Sequence, residues 1–142
     1  LMDATTVVPA VNQVELHPYF PQRELQTFAA QHGIITEAWS PIGGVNVYTT
    51  SDTDKQRRVL EEPALRAIAE AHGKTPAQVI LRWHLQQGRC AIPKSVNAGR
   101  IAENFDVFDF ELSPEELSAI DGLDTGTRGG PDPDQVNSTT FS

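Results

Sequence analysis

Apolar and polar positions follow two different periods along this chain, and the switches between them mark its elements. Residues 8–16, VPAVNQVEL, are valine-rich and predict a strand carrying Asn12, Gln13 and Glu15. Pro18 and Pro21 break that run. From about Gln22 to His32 the spacing becomes helical, with Leu25, Phe28, Ala29 and His32 on one stripe and Gly33 placed to end it. Ile34 to Trp39 predicts a second strand, stopped by Ser40-Pro41 and Gly43-Gly44. Residues 44–58 are polar, carry two charge clusters and predict a long surface loop.

Two helices follow. Pro63 to His72 places Leu65, Ile68, Ala69 and His72 on one face, with Gly73 as the stop. Thr75-Pro76-Ala77-Gln78 is a capping box with Pro at the first helical position, so a helix starts there and runs to about Gln87. Gly88 closes it. Arg89 to Pro93 predicts a short buried strand, Asn97 to Asn104 a helix, and Ser113-Pro114-Glu115-Glu116 opens a last helix with Leu117, Ile120 and Leu123 inside. Beyond Gly122 the chain turns rich in Gly, Pro and Asp, predicting an extended tail over 124–142 and a packed unit over 1–123.

The order strand, helix, strand, two helices, strand, two helices means βα units and a parallel sheet. Three strands are few for a closed α/β fold, since a (β/α)8 barrel needs eight and about 250 residues. The chain has 142 residues and no internal repeat, so no further strands are hidden in it.

Composition narrows the classes. A hydrophobic fraction of 39% and a charged fraction of 21% suit a globular protein. No apolar run approaches ~20 residues, which predicts no membrane span. The N-terminal LMDATTVVPAV lacks a basic region and a long apolar core, so it does not read as a signal peptide. The single cysteine, Cys90, reads as a small core residue, and one cysteine suits a reducing cytoplasm. His17, His32, His72 and His84 lack metal-ligand spacing and read as structural, His32 and His72 near helix C-termini. Trp83 reads as packing. The tail contains no G-x-G-x-x-G after a strand, so a Rossmann site is not supported.

The net charge of −8 argues against nucleic acid or an anionic membrane as partner. One segment runs against it. In 92–104, IPKSVNAGRIAEN, a strand end leads into Lys94 and Ser95, Asn97 can cap a helix, and Arg100, Glu103 and Asn104 follow. Free backbone N–H groups at a helix start, flanked by Lys, Ser and Arg, suit a phosphate-bearing ligand. Glu103 and Asn104 add an acceptor and a mixed donor/acceptor pair able to read a base such as adenine. The plainer alternative is two solvated charges beside a helix start.

Those residues, Lys-Ser-x4-Arg-x2-Glu-Asn, resemble the nucleotide-binding signature of the aldo-keto reductases. VNQVELHPYFPQ at 11–22, AWSPIGG at 38–44 and KTPAQVILRW at 74–83 occur in that family's order. From Thr5 to about Asn137 the chain is similar to the family's C-terminal half, the last three βα units of a (β/α)8 TIM barrel. The bacterial reductases of keto-sugars and small aldehydes, such as 2,5-diketo-D-gluconate reductases, are the nearest in pattern. The resemblance implies NADPH as cofactor and a small carbonyl as substrate. It gives Gln13 the nicotinamide carboxamide and Trp39 the stacking ring, where most relatives carry Tyr. Ser40, Ile42 and Gly44 would hold the pyrophosphate. Lys94, Ser95 and Arg100 would clamp the 2′-phosphate, Val96 would line the adenosine pocket, and Glu103 and Asn104 would contact adenine. For Gln13 a satisfied core amide, and for Trp39 a core aromatic, remain the alternatives.

The family's catalytic Asp, Tyr, Lys and His lie in motifs that this sequence does not contain, and His17 in ELHP is not the family's catalytic His. The resemblance therefore implies a fragment with its tetrad upstream of Leu1, inactive alone, its tail folding over the barrel mouth. A second reading is a non-catalytic nucleotide-binding or interaction module that self-associates through open sheet edges.

Overall fold

Where side chains can cap, the helices start as predicted. A computed structural model describes residues 2–43 and 59–136. The first strand, β1, is Val11–Glu15, followed by α1 (Arg23–Gln31), β2 (Ile35–Trp39), α2 (Pro63–His72), α3 (Pro76–Gln86), β3 (Cys90–Ala91), α4 (Ala98–Phe105) and α5 (Pro114–Asp121). Short 3-10 turns occupy Met2–Ala4 and Val59–Glu61. At α3 the Gln78 N–H donates to Thr75 Oγ1 (3.3 Å) and the Thr75 N–H to Gln78 Oε1 (2.9 Å). Ser113 and Glu116 repeat that reciprocal box on α5. Each box satisfies two backbone donors that a helix start leaves without intrahelical partners.

The three strands form one parallel sheet in the order β1-β2-β3. Register pairs Gln13 with Glu37, Glu15 with Trp39, and Glu37 with Cys90. Because strand side chains alternate faces, the sheet has two unlike sides. One buries Leu16, Thr36 and Ala38 towards the helices, where Leu65, Ile68, Val79, Ile80, Trp83, Leu112 and Ile120 complete the core. The other side presents Val11, Gln13, Ile35, Glu37, Cys90 and Ile92, all exposed or half-buried. Across it the Gln13 amide donates to Glu37 Oε1 (2.5 Å) and the Cys90 thiol to Glu37 Oε2 (3.5 Å).

Several boundaries differ from the sequence expectation. The first strand is Val11–Glu15 rather than 8–16, and β3 has two residues rather than the buried run 89–93. Cys90 is exposed, not a core residue, because it lies on the open face of an edge strand. Phe28 and His32 stack on each other at 4.3 Å but stay exposed, so only Ala29 of that helical stripe is buried. No residue of α4 is buried. The long loop expected over 44–58 lies outside the described residues.

Polar contacts, from buried to exposed, tie the layers together. The Trp83 indole N–H donates to Asp121 Oδ1 (2.8 Å), joining α3 to α5, and the Arg89 guanidinium lies 3.8 Å over the Trp83 ring. Burial lowers Arg89 to about 10, a value that still leaves it charged at neutral pH. His72 bonds Glu116 at 2.9 Å and so joins α2 to α5. Lys74 reaches both Asp106 and Asp109, fixing the segment between α4 and α5.

Candidate nucleotide site

In open parallel α/β sheets, ligands gather at the carboxyl ends of the strands. Here β1 ends at Glu15, β2 at Trp39, and β3 runs out through Ile92 and Pro93 to Lys94. The Ile92 N–H donates to the Ala38 carbonyl (3.2 Å), so the path to Lys94 starts beside Trp39.

The start of α4 has the features of an anion site. Asn97 is its N-cap, with Oδ1 accepting from the Arg100 N–H (3.0 Å). Ser95 Oγ accepts from the Asn97 N–H (3.1 Å), which fixes the turn before the helix. The first two N–H groups of the helix, on Ala98 and Gly99, have no intrahelical partner. Lys94 and Arg100 are exposed, and among the described residues neither makes an ion pair. Two exposed cations therefore flank a positive helix end.

Asn104 shares a groove of ≈ 370 Å³ with Lys94, Ser95, Pro93, Ile101 and Phe105. Val96 is almost fully exposed and does not line that groove. Glu103 is engaged elsewhere: it accepts from Thr75 Oγ1 (2.5 Å), while its carbonyl accepts from Gln78 Nε2 (3.2 Å). Its carboxylate thus ties α4 to the cap of α3, a contact the linear pattern did not announce.

After β2 the chain turns sharply. Ser40 has φ 48, the left-handed region that non-glycine residues seldom adopt, and the Gly43 N–H closes the turn on the Ser40 carbonyl (2.9 Å). A Cβ at Gly43 would lie 2.8 Å from Val59 Cγ2, so only glycine fits there. Ile42 packs against the core, leaving its backbone as the group available to a ligand. Gly44 lies outside the described residues. The turn is pinned from below by His84, whose Nε2–H donates to the Pro41 carbonyl (2.9 Å). Burial, helped by the Arg89 charge, lowers His84 to about 3, so it is neutral at ordinary pH.

Trp39 is half-buried at the end of β2, and Gln13 lies one level lower on the neighbouring strand, its amide held by Glu37. Beside Trp39, Glu15 is 1% exposed. It accepts from His17 Nε2 (2.9 Å) and from the N–H groups of Gly129 (2.6 Å) and Gly130 (2.9 Å), with Arg128 at 3.8 Å. Burial pushes its carboxyl up, but His17 and the two glycine N–H groups outweigh that and hold it below the usual carboxylate range. From composition the tail was expected to be extended, and from the resemblance to fold over the barrel mouth. Among the described residues it has no regular element after Asp121, and it is fastened across the sheet end, with Thr125 also bonded to the Tyr19 carbonyl. Sequence reasoning missed Glu15 and the glycines, since residues more than a hundred positions apart leave no local pattern.

No cluster of three or more His, Cys, Asp or Glu able to hold a metal occurs among the described residues. Nor is any helix among them long and apolar enough to cross a membrane.

Residues 2–125 match the family model of the aldo/keto reductase family. The chain belongs to that family. Among its relatives, an aldo-keto reductase of Mycolicibacterium smegmatis is 54% identical over 139 residues, 98% of this chain and 46% of that protein. Morphine 6-dehydrogenase of Pseudomonas putida is 54% identical over 143 residues, covering 100% of this chain and 48% of that protein. Methylglyoxal reductase DkgA of Escherichia coli is 49% identical over 95% of this chain and 46% of its own length. The aldo-keto reductase chain therefore spans about half the length of the curated relatives it matches. Its fold is similar to that of a Gox0644 variant solved in complex with NADPH (TM-score 0.83, 48% identity, 96% of this chain and 46% of that one). An aldo/keto reductase from Brucella melitensis gives TM-score 0.74 at 46% identity over 87% of this chain and 42% of that one. The expected fold class, part of a (β/α)8 barrel, holds.

Proposed function

We propose that this chain is the NADPH-binding part of an aldo-keto reductase that reduces a small, sugar-like aldehyde or ketone. The observation that carries the reading is the pair of exposed cations, Lys94 and Arg100, at the capped start of α4 and without an ion pair among the described residues, in a chain of net charge −8. Lys94, Ser95 and Arg100 clamp the 2′-phosphate. Asn104 contacts the adenine from the groove, and Glu103 joins it only by releasing Thr75 or sharing its carboxylate. Val96 covers the adenosine from the solvent side. The Ser40 hydroxyl and the backbone of Ile42 and Gly44 hold the pyrophosphate. Trp39 stacks on the nicotinamide, where an aromatic face adds dispersion and excludes water, and Gln13 takes the carboxamide by exchanging Glu37 for it.

Bound there, NADPH supplies the hydride for carbonyl reduction. The proton donor belongs to the family's tetrad, for which this chain has no counterpart, so it binds the nucleotide without turning over a carbonyl. Calorimetric titration with NADPH, and with NADH as control, tests the binding. Saturation favouring NADPH is expected, and equal affinities would remove the 2′-phosphate assignment. Carbonyl-dependent NADPH oxidation above background would overturn the claim of inactivity.

The open sheet face favours a second reading, self-association. Val11, Ile35 and Ile92 are exposed on it, and such patches on soluble proteins mark contact surfaces. Light scattering decides this, since a monomer at high concentration would exclude it.

A further inference from the structure

Three groups from distant parts of the chain meet at one level of the sheet. Glu15 and Trp39 are register partners on adjacent strands, so carboxylate and ring stand side by side on the same face. Over them runs the Gly129-Gly130 backbone, both N–H groups donating to the carboxylate. The approach is so close that a Cβ on Gly130 would lie 2.3 Å from Trp39 Cη2 and 2.9 Å from Glu15 Oε2. Gly129 is nearly as confined, with Glu15 Oε1 3.2 Å from where its Cβ would be. A diglycine is what lets a backbone lie on a ring edge and still reach the acid behind it.

The neighbours secure the acid. His17 donates to it, and Arg128 stands 3.8 Å from it while resting over the Phe20 ring at 4.7 Å. A buried carboxylate with this many donors has one strongly preferred arrangement. The ring beside it is only half-buried and depends on its surroundings for a fixed orientation.

We propose that Glu15 is a positioning residue: by anchoring Gly129-Gly130 it holds the tail against the edge of Trp39 and fixes the orientation in which that ring receives the nicotinamide. The assignment rests on the nucleotide reading above and deepens it. Ring orientation then depends on the tail, and the nicotinamide end of the site is sensitive to changes 115 residues away in sequence from Glu15. The phosphate end, built on α4, is independent of that anchor.

The test uses Glu15→Gln and Gly130→Ala in the full 142-residue chain. Glutamine keeps the shape but turns one acceptor into a donor facing the glycine N–H groups. Alanine leaves the acid intact and forces ring and tail apart. Acrylamide quenching of tryptophan emission reports Trp39, because Trp83 is fully buried. Both variants should raise that quenching. NADPH binding should weaken about tenfold, while adenosine 2′,5′-bisphosphate, which has the phosphates and base but no nicotinamide, should bind within about twofold of wild type. Circular dichroism checks folding, and Gly130→Ala decides alone if Glu15→Gln does not fold. Unchanged quenching, or equal losses for NADPH and the bisphosphate, would overturn the positioning role. If the wild-type chain bound neither nucleotide, the nucleotide reading would fall and the assignment with it. Bisphosphate bound normally, with NADPH unaffected by either variant, would remove the positioning role alone.

Discussion

The two ends of the candidate site are built on opposite plans. At the α4 end the two cations, Lys94 and Arg100, are exposed, without an ion pair among the described residues, and drawn from one short segment. At the Trp39 end the charged group is buried, bonded on several sides and assembled from β1, β2 and the tail. An open pair of cations can attract an anion from solution but orients it loosely. A latched ring attracts little and orients well. In the proposed division, affinity and cofactor choice come from the first end and geometry from the second.

The largest effect that would break this division is at the cations. Replacing both Lys94 and Arg100 with Ala should cost NADPH ~3 kcal/mol or more, from two charge-assisted contacts, and leave NADH nearly unchanged in parallel calorimetry. A comparable loss for NADH would mean that these residues hold something common to both cofactors.

Between the two ends lies the Ser40–Gly43 turn, held by neutral His84. In the folded chain His84 titrates at about 3, against 6.5 unfolded. Between those values the unfolded state binds the extra proton, so stability falls as pH falls. Urea denaturation should show a loss of about 2 kcal/mol from pH 7 to pH 5, and His84→Gln should flatten that slope. The Glu15 carboxyl, held low in the folded chain, contributes stability that is present above its unfolded value of 4.5 and lost below it, so it adds little in that window.

Trp39→Ala sharpens the contrast at the other end. It should weaken NADPH and NADH equally, by about 0.5–1.5 kcal/mol beyond lost area, because both carry the same nicotinamide. A loss confined to NADPH would place the ring at the wrong end of the cofactor. The smallest effect belongs to Ser40→Gly. Relieving φ 48 should raise the urea midpoint by a stability gain below about 1 kcal/mol, while loss of the hydroxyl should weaken NADPH and NADH alike by about 1 kcal/mol.

The same contrast explains what could be read from sequence. Asn97, Arg100 and the caps at Thr75 and Ser113 act over three or four residues, so their pattern is their geometry. The bounds of α2 were legible from equally local signals, Pro63 in its first turn and Gly73 with positive φ at its end. Edges were not, because β3 depends on pairing with β2, and burial at Cys90 depends on what covers the sheet. Thr75 and Glu103 meet 28 residues apart, and Glu15 and Gly130 meet 115 apart. Neither contact leaves a periodic signal. Trp39 was singled out by family pattern, but its closeness to the Gly130 backbone was visible only in three dimensions.

Cys90 gives the open sheet face a practical use. It stands in line with Glu37 and Gln13 at one level of the sheet, and in a barrel such a level becomes a ring of interior side chains. Partial desolvation by its neighbours and the adjacent Glu37 both push its thiol up, so alkylation should be slow at neutral pH and quicken in alkali. Joining this chain to complementary strands would seal that thiol inside. A single labelling rate would then report closure of the barrel, with no engineered probe.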